Sequence, residues 1–190
     1  MSGDTYVVTL KQGLVDKVGQ FIENLISNSD SVLNIKGQLI LEALSFVETI
    51  TIQELNNKLL NSDDTIDTVL YTEVFDKNGE KQIVNQKFKL IKRMKSNRTV
   101  YEIRIDYTFD TYDNTKESWH FRTFFSNVPH EDDNFYIIVD YYEKSYLGGY
   151  NDKEIANAST NALIQKTANM KRNLIANKKL RDVYLDKTKF

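Results

Sequence analysis

The chain has 190 residues, a net charge of -2, 41% hydrophobic and 27% charged residues, one proline and no cysteine. That length fits one ordinary domain and can bury a sizeable core, and the composition is that of a globular chain rather than a disordered or collagen-like one. The inventory excludes disulfide scaffolds, thiol nucleophiles, zinc ribbons and iron–sulfur sites.

Met1 to Thr5 carries no basic leader, and the apolar runs are far shorter than the roughly 18 residues of a membrane span. The expectation is a protein of the cytoplasm, without a membrane partner. Charge is unevenly placed: residues 153–190 hold nine Lys/Arg against three Asp/Glu, so a +6 end follows a body of -8.

Leu10, Leu14, Val18, Phe21, Ile22 and Leu25 recur at helical spacing and predict an amphipathic helix over residues 8–27. Asn28-Ser29-Asp30 stops it and caps a second helix over 32–47, whose apolar residues lie on most faces. Gly37 permits close packing there. Thr51 and Glu54 have capping-box spacing and Ile50 can staple onto Leu55, which predicts a third helix from Ile52 to Leu60.

Beyond Asn61-Ser62-Asp63-Asp64 the period becomes strand-like. Asn78-Gly79 marks a tight hairpin between strands at 67–76 and 81–95. Tyr101, Ile103, Ile105, Tyr107 and Phe109 then alternate with Glu102, Arg104, Asp106 and Thr108, giving one core face and one wet face. Turns at 113–115 and 129–134 delimit strands at 117–126 and 135–143.

After the Gly148-Gly149 bend, Ile155, Ala158, Ala162, Leu163, Met170, Leu174 and Ile175 predict a final helix, begun by an Asp152 cap. Unbroken to 185 it would be about 50 Å long; a break at Asn173 or Asn177 is the alternative. The expected fold is α+β: N-terminal helices, a five-stranded antiparallel meander and a long C-terminal helix, arranged as an α+β domain over 1–150 and a basic helical extension over 151–190.

Catalytic signatures are sparse. His120, in Trp119-His120-Phe121-Arg122, has the chemistry of a general base or metal ligand, but a strand histidine more often packs or faces solvent; His130 stands in an acidic turn. Asp106, Asp110 and Asp113 have the hard oxygens that magnesium or calcium takes, but neither the spacing nor the glycine of a calcium loop. There is no serine-nucleophile elbow and no glycine-rich phosphate loop. No enzyme, no metal and no cofactor are expected.

Two binding chemistries remain. Residues 39–44, 51–59 and 65–70, with the Asn78-Gly79 hairpin as wing, form a segment over 39–80 that loosely resembles a winged-helix DNA-binding module. The resemblance implies that 63–72 enters the major groove, where Asp63, Asp64, Asp67 and Glu73 would meet phosphates. Separately, Lys87, Lys89, Lys92, Arg93 and Arg98 are interleaved with apolar residues and could line a nucleic-acid groove, although lysines on an exposed strand also prevent edge aggregation.

Aromatic residues crowd 109–150, more than one sheet face can bury, and the basic helix is longer than one sheet requires. Both features suit subunit contacts, for which Tyr146, Tyr150, Met170, Leu174, Tyr184 and Phe190 are the candidate residues. The leading expectation is a non-enzymatic structural or interaction subunit whose partners are copies of itself or other subunits. With the Asn, Lys and Ile bias of AT-rich genomes, a phage connector or tail component assembled into a virus particle is its concrete form; a nucleic-acid-binding module is the alternative.

Overall fold

The computed structural model describes residues 4–11, 16–75, 79–110, 116–147 and 153–185, without the side chains of 110, 144–147 and 153–157. Element order is β1 (Thr5–Thr9), α1 (Lys17–Ile26), α2 (Ser31–Glu48), α3 (Ile52–Leu60), β2 (Thr65–Phe75), β3 (Lys81–Arg93), β4 (Tyr101–Asp110), β5 (Lys116–His130), β6 (Asp133–Leu147), α4 (Lys153–Ala176) and α5 (Lys178–Tyr184).

The sheet has six strands in the order β1-β6-β5-β4-β3-β2. Strands β2 to β6 run as the expected antiparallel meander, but β1 adds to β6 in parallel, with Thr5 opposite Asn134 and Thr9 opposite Ile138. The sheet is therefore mixed and curled rather than a five-stranded antiparallel one. Of the expected helix over 8–27, Lys17–Ile26 is helical, while Val8 and Thr9 belong to β1, which is rich in β-branched residues and finds a strand partner some 130 positions away; residues 12–15 lie outside the described residues.

Local chemistry fixes the helix starts. Asp16 caps α1 by accepting from Gly19 N at 2.9 Å, and it also receives the Thr9 hydroxyl at 2.5 Å, tying the end of β1 to the helix. Asp30 accepts from Val32 and Leu33 at the start of α2. At α3 both halves of the Thr51–Glu54 capping box are formed. A Cβ on Gly37 would lie 2.9 Å from Ile26 Cγ1 and 3.1 Å from Ile26 N, so glycine is what lets α2 cross α1 this closely.

The inner sheet face packs on α1 to α3. Its core joins Val18, Ile22, Leu39, Ile40 and Leu55 to Ile103, Trp119, Phe121, Phe125 and Tyr136, with Phe21 stacked on Tyr141 at 4.2 Å between ring centres. The Tyr136 hydroxyl, buried, donates to Ile50 O at 2.8 Å.

On the outer face, Val128, Phe135, Ile137 and Val139 meet Leu174 and Leu185, and Phe124 meets Leu163, Ile164 and Ala168. The C-terminal helices thus dock on this chain's own sheet. The long helix breaks at Asn177, whose side chain accepts from Leu180 N at 3.0 Å and starts α5. The expected Asp152 cap lies outside the described residues.

Two bulges set which residues share a face. Ile66 stands opposite Ile91 and Asp67 opposite Lys89, which leaves Leu90 as an extra residue in β3. Thr123 stands opposite Tyr141 and Phe125 opposite Ile138, giving β6 an extra residue at Val139-Asp140. Asp140, at that bulge, joins both helical layers: its carboxylate is bonded by Lys166 of α4, and Lys17 Nζ of α1 lies 3.8 Å away.

Candidate interaction surface

Among the described residues, helices α4 and α5 cover the outer face chiefly over β5 and β6. Strands β2, β3 and β4 turn their outer side to solvent or to one another, and the residues there fall into two zones.

The first zone is a charged ladder. Arg104 and Arg122 are cross-strand partners, as are Asp106 and His120. Asp106 Oδ1 accepts from Arg122 Nη2 at 2.5 Å and lies 2.5 Å from His120 Nδ1, while Glu102 is 3.6 Å from Arg122 Nε and 3.8 Å from Arg104 Nε. Burial pushes the Glu102 carboxyl up despite Arg122 and Arg104. Burial also acts to raise Asp106, but Arg122 and His120 outweigh it and hold its carboxyl below the usual range. The expected wet face of β4 is therefore half-buried and internally neutralised. His120 serves there as a neighbour of Asp106; Asp113 and the Asp110 side chain lie outside the described residues.

The second zone is apolar. Along β2, Ile66, Leu70, Thr72 and Val74 point inward and are buried, so Asp67, Val69, Tyr71, Glu73 and Phe75 point outward. Val69 is 58% exposed, Tyr71 47%, Phe75 66%, and Ile83 on the adjoining strand 55%. Asp67 pairs with Lys87 at 3.1 Å at one end of this patch, and Glu73, opposite Ile83 and between Tyr71 and Phe75, pairs with Lys81 at 2.7 Å. Isolated exposed apolar residues are ordinary; four large ones on one side of one hairpin are the usual mark of a contact surface.

The two edges of the sheet differ. Strand β1 is five residues long, and the N–H of Val7 donates to Glu48 Oε1 at 3.1 Å, so the end of α2 closes that edge. Strand β2 is eleven residues long and contains neither lysine nor proline. Among the described residues, no strand pairs with its outer edge. Such edges are normally blunted because their free amides and carbonyls are templates for another chain. Beside the start of β2 lies a cleft of about 770 Å³ lined by Phe46, Asn57, Lys58, Asn61 and Asp67, among others.

The five expected nucleic-acid cations do not form one patch. The bulge at Leu90 leaves Lys87, Lys89 and Lys92 on the outer side but turns Arg93 inward. There Arg93 Nη2 donates to Asn56 Oδ1 at 2.9 Å and its guanidinium lies 5.9 Å from the Tyr101 ring centre. Arg98 pairs with Asp64 at 3.2 Å. The segment compared with a winged helix departs from that module: Asp63 and Asp64 make a turn at positive φ, and Thr65–Phe75 is a strand where the groove-reading helix would stand.

Of the expected contact residues, Leu174 is fully buried in the outer core, and Met170 and Tyr184 pack against the same cluster. Tyr150 and Phe190 lie outside the described residues, as does the Tyr146 side chain. The residues that sequence reasoning missed are Val69, Tyr71, Phe75 and Ile83. Their signal was present, since β2 carries large apolar side chains at both odd and even positions.

Among the described residues no helix is long and apolar enough to cross a membrane. No protein family, curated protein or solved structure matches the chain.

Proposed function

We propose that the protein is a non-enzymatic interaction subunit of a larger assembly, and that it makes its contacts through the outer side of the β2–β3 hairpin. The observation that carries this reading is the cluster of Val69, Tyr71, Phe75 and Ile83, all about half exposed or more on a strand pair whose other side is well packed. Apolar surface removed from water contributes roughly 25 cal/mol per Å², and a partner seated here would recover it. The Asp67–Lys87 and Glu73–Lys81 pairs, interleaved with these side chains, supply the polar component that protein contacts usually have. The form of this reading that places the subunit in a virus particle rests on composition.

The test is mass in solution by light scattering over a concentration series. The full chain is expected to exceed the mass of one chain, and Val69→Lys with Phe75→Lys is expected to reduce it while leaving the circular dichroism unchanged. A single-chain mass at all concentrations contradicts the reading.

A nucleic-acid reading retains Lys87, Lys89 and Lys92, which share the outer side with Tyr71. It requires binding that weakens steeply between low and moderate salt, and loss of that binding in Lys87→Glu with Lys89→Glu.

A further inference from the structure

Resting on the assembly reading above, we infer that the partner is a second copy of this chain, joined edge to edge through antiparallel pairing of β2 with β2 about a two-fold axis at Thr72.

Three observations carry this. The outer edge of β2 is long and, among the described residues, unpaired, whereas Glu48 closes the other edge of the same sheet. Among the described residues, the large exposed apolar side chains borne by strands all lie on this strand and its hairpin neighbour, the others being Leu41, Leu60, Ile175 and Val183 on helices. The third is that β2 is self-complementary in a register that pairs its outward apolar residues with one another.

A two-fold axis demands that residue i meet residue j and j meet i. Because side chains alternate, an axis falling between residues sets outward positions against inward ones and is excluded by the buried inner face. An axis at Leu70 places Asp67 opposite the partner's Glu73, two like charges. An axis at Tyr71 places Val69 opposite the partner's Glu73 and Asp67 opposite the partner's Phe75, burying carboxylates against apolar groups.

An axis at Thr72 resolves both conflicts. Val69 then meets the partner's Phe75 on the outer side, and Leu70 meets the partner's Val74 on the inner side. Tyr71 meets the partner's Glu73, the same phenol and carboxylate that are hydrogen-bonded along the strand within one chain. Aromatic with β-branched is among the favourable cross-strand pairs, and each outward pair occurs twice. Two six-stranded sheets become one of twelve strands, with the free amides and carbonyls of both edges paired.

The chain has no cysteine, so introduced thiols report this register without background. Val69 and Phe75 are both exposed and accept substitution without loss of the core. In this register, Val69→Cys with Phe75→Cys in one chain gives near-complete dimer under mild oxidation on a non-reducing gel. Each single cysteine gives monomer, since like positions lie roughly 20 Å apart at about 3.4 Å per residue. A single-chain mass in light scattering overturns this inference together with the assembly reading. An oligomer that the double variant does not cross-link, or that either single variant cross-links as well, overturns the β2 pairing alone.

Discussion

Val7 of β1 donates its backbone N–H to the carboxylate of Glu48 at 3.1 Å, a bond between the shortest strand and the last residue of α2. It gives the two borders of one sheet opposite characters. At β1 a side chain from the next layer occupies the edge; at β2, among the described residues, no strand pairs with the outer edge.

Replacing Glu48 with Ala should therefore do more than its modest hydrogen bond implies. The expected loss in urea unfolding is about 1 kcal/mol, accompanied by faster concentration-dependent aggregation as the β1 edge opens. Turbidity on mild heating checks the second part, and unchanged aggregation would show that Glu48 does not guard the edge.

The C-terminal helices should be inseparable from the domain that precedes them. Leu174 is fully buried among Phe135, Ile137 and Val139 of its own chain, so Leu174→Ala is expected to cost about 2–5 kcal/mol. A chain ending at Gly149 should bind a hydrophobic dye or precipitate. If that shortened chain instead folds with full cooperativity, the packing of α4 and α5 on the sheet is not what stabilises it.

Tyr136 offers a test of the inner face. Its hydroxyl is bonded to Ile50 O in the buried junction between β6 and the α2–α3 turn, and burial raises its pKa far above the ordinary tyrosine value. Tyr136→Phe leaves that carbonyl without its donor, with an expected cost of about 1–3 kcal/mol in chemical denaturation.

Acid should weaken the clasp at Asp140. Burial acts to raise its carboxyl, but the Lys166 bond, the Tyr141 N–H and Lys17 outweigh burial and hold it below the ordinary value of 3.8. A carboxyl with a lowered folded pKa contributes stability above the unfolded pKa and loses it as pH falls through the folded one. Asp140→Asn should thus lower stability at neutral pH by about 1–3 kcal/mol and flatten the stability profile below about pH 4. A pH profile parallel to that of the unmodified chain would contradict this role.

Much of the fold was legible where local chemistry decides it. The Thr51–Glu54 box, the Asp30 cap and the alternation of Tyr101 to Phe109 each name their element, because the signal lies within a few residues. What escaped depends on distant partners. Thr5–Thr9 becomes a strand only because Asn134–Ile138 receives it, and of the expected helix stripe Leu10 lies just past β1 in the outer core while Val18 lies in α1 and the inner core.

The bulges were equally hidden. Leu90 is one residue of extra length, yet it sends Arg93 to Asn56 and leaves Lys92 outside, the reverse of where alternation alone places the two. The proposed contact surface is half legible in the sequence: the excess of apolar side chains at β5 and β6 is absorbed by α4 and α5, but the same doubled pattern at β2 has no such cover among the described residues.

Hydrogen exchange of the full chain at increasing protein concentration tests the central claim most directly, because it reads the β2 amides themselves. Contact through the β2–β3 hairpin predicts that residues 65–75 gain protection as concentration rises while β1 and α4 are unchanged. Exchange of that strand independent of concentration, in a chain whose mass stays that of a single copy, would contradict it.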